Sequence, residues 1–265
     1  MPRKNPRHSK PFAKPAGGRD RSRRRPDEAD RIVIYGLHAV EAALANPNRA
    51  IVRLLATENA AHRLGPVLLD RQLTPEPATP KDLDRLLGPD TVHQGVALET
   101  EPLPPVGLDD VDKNGILLVL DQVTDPQNVG AALRSAAAFG AAGLVLTERH
   151  SPPLSGALAK AASGALDLVP IVLVTNLAQS LSELGDRHVL RVGLAEEADE
   201  ALEDLELTRP LALVLGAEGK GLRQLTRERC DRLCRITTAS ALASLNVSNA
   251  AAIAMHWASL KARTA

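Results

Sequence analysis

Three polar segments, each following an apolar run, hold the side chains whose types and spacing could do chemistry. The first is Asp121-Gln-Val-Thr-Asp-Pro-Gln-Asn128-Val-Gly-Ala-Ala-Leu-Arg134. Asn128 and Arg134 lie roughly 1.7 helical turns apart, so an amide and a guanidinium can rise from one helix start. Equally, Asn128 can cap that helix and Arg134 can be a solvated surface residue. The second is Leu215-Gly216-Ala217-Glu218-Gly219-Lys220-Gly221. Its glycines let main chain approach a ligand closely or simply form a tight turn. It is no phosphate-binding P-loop, because Val214 stands where that motif needs glycine, and it lacks G-x-G-x-x-G. The third is Ser244-Leu245-Asn246-Val-Ser248-Asn249, ahead of an Ala-rich stretch. Ser244 can cap the helix that begins there, but four polar residues in six positions exceed what one cap requires.

These segments need elements to hold them. Apolar runs at Ile116–Asp121, Gly143–Leu146, Leu168–Val174, His188–Val192, Leu211–Leu215 and Cys234–Ile236 read as strands. They alternate with helices at Asn128–Phe139, Gly156–Ala162, Leu177–Leu184, Leu222–Cys230 and from Ser244 onward. Unbroken apolar strands between helices predict a mostly parallel sheet covered on both faces. Such sheets bind ligands at the C-terminal ends of strands, where the three segments lie. Ahead of this region, residues 31–100 read as a small α/β unit. Its strands are Ile32–Tyr35, Ile51–Ala56 and His93–Glu99, and its helices His38–Ala45, Ala60–Leu69 and Lys81–Leu87, with Thr57 and Thr79 at helix starts. Residues 101–114, with three prolines and no apolar period, read as a linker.

Residues 1–30 hold ten Lys/Arg against four Asp/Glu, so in a chain of zero net charge residues 31–265 carry an acidic surplus of six. The first 30 residues are predicted to be a disordered basic tail, either a solubilising tail or an arm that contacts a polyanion. Four prolines by position 15 argue against an amphipathic presequence helix, and no apolar core follows for a secretory signal. Aromatics are only 2% of residues, which argues against RNA-binding folds that stack bases on rings. No apolar run reaches about 18 residues, so no membrane span is expected. Cys230 and Cys234 have no His or third Cys beside them. They read as buried free thiols that share a helix face if the helix extends so far, and no metal site is expected. The acidic stretch Glu196–Glu206 reads as a solvated face lying away from the site.

At the three segments the chain resembles the SpoU-type (TrmH-like) branch of the SPOUT RNA methyltransferases. Asn128/Arg134 looks like the family's first motif, Leu215–Gly221 its second and Ser244–Ser248 its third. The resemblance covers residues 115–265. It implies a trefoil-knotted parallel-sheet domain, S-adenosylmethionine as cofactor, and a homodimer whose subunits complete each other's sites. Ile34-Tyr-Gly-Leu-His-Ala-Val40 and His93-Gln-Gly-Val-Ala97 are similar to the start and end of the L30e-like substrate-binding domain found in a subset of the family. The two domains together look most like the bacterial branch that methylates a guanosine 2′-hydroxyl in large-subunit (23S) rRNA. Alternatives are a tRNA or resistance-type rRNA target, or a non-catalytic RNA-binding ribosome-assembly factor of the same fold. The third motif departs from the usual pattern: Ile236-Thr-Thr stands for Ile-Pro-Met, and Ser240 for a glycine.

The same resemblance implies roles for individual residues. Leu215, Gly216, Ala217, Gly219, Gly221, Ile236, Leu245 and Asn246 would hold the cofactor. The resemblance makes Arg134 the general base, but because a guanidinium stays charged, binding the neighbouring phosphate and stabilising the developing alkoxide fits it better. Asn128 would hold the ribose or Arg134, Glu218 would orient Arg134 or a nearby polar group, and Ser244 and Asn246 would complete the set from the partner subunit. His38 and His93 are candidate RNA contacts or packed histidines. The expected setting is the cytoplasm, on 23S rRNA either naked or within pre-ribosomal particles.

Overall fold

A computed structural model describes residues 31–112, 114–207, 210–239 and 244–264; the basic tail, Lys113, Thr208–Arg209, Ser240–Ala243 and Ala265 lie outside it. The small N-terminal sheet contains β1 (Ile32–Tyr35), β2 (Ile51–Ala56), β3 (Glu76–Pro77) and β4 (Val96–Thr100). The strand order is β1-β4-β2-β3, with β4 antiparallel to both neighbours. Four helices accompany it: α1 (Leu37–Ala45), α2 (Glu58–Arg63), α3 (Gly65–Asp70) and α4 (Pro80–Leu87). Thr57 caps α2, and Thr79 with Asp82 makes a reciprocal capping box on α4. The expected single helix over 60–69 is two. Pro66 fits only at a helix start, so the chain breaks at Leu64–Gly65 and begins again. The strand expected from His93 starts at Val96, because Gln94 and Gly95 are left-handed (φ 56° and 82°).

The larger sheet holds β5 (Ile116–Asp121), β6 (Gly143–Thr147), β7 (Ile171–Val174), β8 (Leu190–Leu194), β9 (Glu200–Ala201), β10 (Leu211–Gly216) and β11 (Arg232–Arg235). All pairings are parallel, in the order β7-β6-β5-β10-β8-β11-β9. Its helices are α5 (Pro126–Ala138), α6 (Gly156–Ala162), α7 (Leu177–Asp186), α8 (Gln224–Glu228) and α9 (Val247–Thr264). One apolar layer under α5, α6 and α9 runs on into the small domain. A second gathers Val119, Val145, Val214 and the buried leucines of α7. This is the two-sided parallel sheet that the unbroken apolar strands predict. The central strands β5 and β10 lie side by side in register, Gly216 opposite Asp121, so the first and second polar segments leave the sheet together.

The 101–114 segment is not a free tether: Val106 bridges to Val172 at the sheet edge, and Val111 is buried. Cys230 and Cys234 share no helix face. Cys230 follows α8 and Cys234 is buried in β11. Burial pushes the Cys230 thiol up to about 12 and the Cys234 thiol up to about 11.

Candidate active site

The site begins with a charge inside the sheet. Asp121 ends β5 fully buried, and a buried carboxylate needs partners. Arg223 supplies them, donating from Nε to Oδ1 (2.7 Å) and from its backbone N–H to Oδ2 (3.1 Å). The exit of the glycine loop is thereby tied to the end of the neighbouring strand. Gln122 follows in the left-handed region (φ 58°), turning the chain toward α5.

The helix cap falls to another residue than Asn128. Asp125 accepts from the Gln127 N–H (2.9 Å), with Pro126 in the first turn. Asn128 is left free to use its side chain elsewhere. Its Nδ2 donates to Glu218 Oε1 (3.4 Å), and its Oδ1 accepts from Asn246 Nδ2 (2.9 Å). Asn246 Nδ2 also donates to Glu218 Oε1, closing a three-residue ring across the three segments. The amide orientation of Asn246 is fixed from behind. Its Oδ1 accepts from Ser248 N (2.9 Å), Ser248 Oγ (2.5 Å) and Asn249 N (3.3 Å), so Asn246, not Ser244, caps α9. Glu218 Oε1 takes a further bond from Val247 N (3.4 Å), whereas Oε2 takes none among the described residues.

Arg134 is exposed and makes no hydrogen bond or ion pair among the described residues. Glu218 therefore orients two amides rather than the guanidinium. The ring also closes within one chain, so the Asn246 contribution needs no partner subunit.

Beside the ring lies a cavity of about 530 Å³ at the C-terminal ends of β10, β8 and β11. Leu215, Gly216, Ala217, Gly219, Gly221, Ile236 and Leu245 line it, with Glu218 and Ser244; Asn246 is a member of the ring and not of this lining. The loop turns back through Gly221 N–H to Ala217 O (2.8 Å), with Gly219 and Gly221 left-handed (φ 73° and 64°) and open on their outer sides. Gly216 is glycine for a different reason: a Cβ there would sit on the Gly221 carbonyl and the Leu222 amide. A large residue at 216 would break the loop itself, so it cannot report on main-chain approach to a ligand.

Ala195, Glu196, Glu197, Thr237 and Thr238 line the cavity too, and none was singled out from sequence for this role. The acids of the 196–206 stretch are mostly solvated, as expected, but Glu196 and Glu197 at its start line the cavity instead of lying away from the site. Glu197 pairs with Arg227, Glu200 with Arg232 (2.9 Å), and Glu203 accepts from Thr237 Oγ1 (3.2 Å). His93 is packed: Nδ1 accepts from Gly95 N (3.0 Å), so Nε2 carries the hydrogen toward Asp84 (3.2 Å). His38 is exposed. Among the described residues no cluster suits a metal ion, and no helix is long and apolar enough to cross a membrane.

The order and spacing of these segments match a known family. The SpoU rRNA Methylase family profile fits residues 115–256, more than half the chain. The chain belongs to the SpoU rRNA methylase family. A second profile, RNA 2′-O ribose methyltransferase substrate binding, fits residues 33–106. Among SpoU relatives, the 23S rRNA (guanosine-2′-O-)-methyltransferase RlmB of Photobacterium profundum is 40% identical over 237 residues, covering 85% of this chain and 96% of that one. The RlmB of Pseudomonas syringae is 38% identical over 243 residues, covering 88% and 96%. In three dimensions the chain is similar to the SpoU methyltransferase AviRb of Streptomyces viridochromogenes, solved with the cofactor AdoMet. The TM-score is 0.77 at 25% identity, covering 89% and 92% of the two chains. The cavity fits the cofactor of this SpoU fold: main-chain groups of a glycine loop edge it, and its volume is that of a small-molecule site.

Proposed function

We propose that the protein transfers a methyl group from S-adenosylmethionine to the 2′-hydroxyl of a guanosine in 23S rRNA. The observation that supports this best is the Asn128–Glu218–Asn246 ring beside a glycine-edged cavity. Leu215, Gly216, Ala217, Gly219, Gly221, Ile236 and Leu245 hold the cofactor, which when bound supplies an electrophilic methyl on its sulfonium.

The residues of the chain position the nucleophile. As the ribose oxygen forms its bond to carbon, it must give up its proton. Glu218 Oε2, the oxygen with no hydrogen bond in the ring, is the acceptor for that proton. Asn128 and Asn246 hold the carboxylate through Oε1. Arg134 binds the phosphate beside the target ribose and stabilises the developing alkoxide. Ser244 lies at the cavity edge and orients the sugar. Holding the hydroxyl in line with the methyl supplies a large share of the acceleration.

The C-terminal segment that returns beside β10 and α5 forms the trefoil knot, and two copies pair through α9. On that helix Ile253 and Leu260 are exposed, three to four residues on either side of His256, which gives a partner helix an apolar stripe. Residues 1–30 are the electrostatic arm, 31–100 the RNA-reading domain and 101–114 the connection to the methyltransferase domain at 115–265. The enzyme acts in the cytoplasm on 23S rRNA, free or within pre-ribosomal particles. The test is transfer from labelled S-adenosylmethionine to 23S rRNA and to tRNA, beside equilibrium binding of S-adenosylmethionine against NAD. Alkali-resistant label in 23S rRNA alone, with binding of the former only, is expected. Label in tRNA alone or on a base would overturn the reading.

A further inference from the structure

The two motifs that resemble the substrate-binding domain, Ile34–Val40 and His93–Ala97, carry a contact with the other domain. Gln94, held left-handed, accepts at Oε1 from the Leu37 N–H (3.0 Å) and from Lys160 Nζ (3.1 Å) of α6. Lys160 has no carboxylate partner among the described residues, and burial pulls its ammonium below lysine's ordinary value. Gly36 (φ 87°) leaves the space the lysine occupies, since a Cβ there would lie 2.5 Å from Nζ. Gly156, at the start of α6, has ordinary backbone angles, so its own conformation does not call for glycine. A Cβ on it would land on the Val33 carbonyl oxygen of β1. Gly164 presses likewise on Ala42 and on the His38 carbonyl.

The far end of this seam is ionic. Asp167, in the 3₁₀ turn at Ala165–Asp167, accepts at Oδ1 from Arg49 Nε (2.9 Å) and Asn46 Nδ2 (3.0 Å), and both charged side chains are almost wholly buried. Arg49 Nη2 lies 2.8 Å from the same oxygen but out of line for a hydrogen bond, and Asp167 Oδ2 has no partner among the described residues. A charge pair this dry exists only while the domains are docked.

The opposite face of α6 grips the helix that bears the site. A Cβ on Gly130 of α5 would lie 2.5 Å from Ala161 Cβ and 2.9 Å from its carbonyl carbon. Gly130 follows Asn128 by two residues and precedes Arg134 by four. One helix therefore touches the small domain on one side and the site-bearing helix on the other.

We propose that Gly156, Lys160 and Asp167, with Gly36, Gln94 and Arg49, are positioning residues. They fix the small domain as a rigid arm through α6, so that the RNA feature it grips stands at a set distance from the Asn128–Glu218–Asn246 ring. This rests on the proposed RNA methyltransferase function for its substrate, but not for its geometry.

The test spin-labels the exposed positions Leu69 and Leu225 as cysteines, one in each domain; the native thiols are buried or half-buried. Distance distributions are compared in the full chain, in Gly156→Val, and in Gln94→Ala/Lys160→Ala, which opens the seam without a clash should the valine variant misfold. The expected result is a narrow distribution that broadens in the variants. KM for 23S rRNA should rise at least tenfold, with S-adenosylmethionine affinity unchanged within twofold. An unbroadened distribution in a folded variant would overturn the proposal, and so would a broadened one with unaltered KM for RNA. A parent chain that binds S-adenosylmethionine but methylates no 23S rRNA would sink the functional reading instead, leaving the label distances to judge the docking.

Discussion

The site ring and the domain seam are built in opposite ways. The ring is solvent-accessible and assembled from three segments far apart in sequence, and every member hydrogen-bonds through a polar side chain. The seam is close-packed, made of glycines, one buried ion pair and one half-buried lysine. Polar residues crowded at strand ends advertise chemistry. Glycines facing another domain advertise nothing until both surfaces are in view. The two regions should also fail differently: damage to the ring removes turnover from a stable protein, while damage to the seam removes stability or aim from a competent site.

The largest effect expected on this contrast is at Arg134. Arg134→Ala should lower the single-turnover methylation rate by about 10³-fold, near 4 kcal/mol of barrier. The denaturation midpoint and cofactor affinity should stay at their parent values, because the side chain is exposed and unpaired among the described residues. Arg134→Lys should recover little, as an ammonium lacks the planar fork. A rate near the parent's would remove Arg134 from the chemistry.

Asp167→Ala inverts that pattern. It leaves Arg49 charged and buried without its carboxylate, a loss of about 3 kcal/mol or more. Urea unfolding should show it directly, and unchanged stability would mean water reaches the seam.

Glu218→Gln separates the two jobs of one side chain. The amide can still accept at the Oε1 position but cannot take a proton. Turnover should fall about 10²-fold, with stability within about 0.5 kcal/mol of the parent. A variant of near-normal rate would leave Glu218 as scaffold only.

The smallest effect concerns the thiols. Both are raised from an ordinary 9.0, Cys230 to about 12 and Cys234 to about 11. Folding keeps these protons, so stability contributed by the thiols is fully present below pH 9. It declines as pH rises from 9 toward 11, where only the unfolded chain has released them. Alkylation at pH 8 should be slow in the native protein and fast in denaturant; rapid native labelling would contradict the burial.

Much of the fold was legible because apolar runs of strand length are hard to place anywhere but a buried parallel sheet. Ile116–Asp121, buried throughout, begins and ends where its apolar run does, and so does the half-exposed Ile51–Ala56 of the small mixed sheet. The two-residue strands Glu76–Pro77 and Glu200–Ala201 carry no pattern of their own and exist only through their neighbours. Asn128, Glu218 and Asn246 could be picked out, but not how they pair. The pairing depends on Asp125 taking the cap of α5 and on β5 lying beside β10. Asp121 was readable in principle, since a carboxylate closing an apolar strand must find a cation. Glu196 and Glu197 were not, because only the order β10-β8-β11 brings the end of β8 to the cavity.

The most direct test is to map 2′-O-methylation across rRNA and tRNA in cells with and without this gene. Loss of one 2′-O-methylguanosine in 23S rRNA, restored by the parent chain and not by Arg134→Ala, is the expected result. Loss of a mark in tRNA or on a base, or restoration by Arg134→Ala, would contradict it.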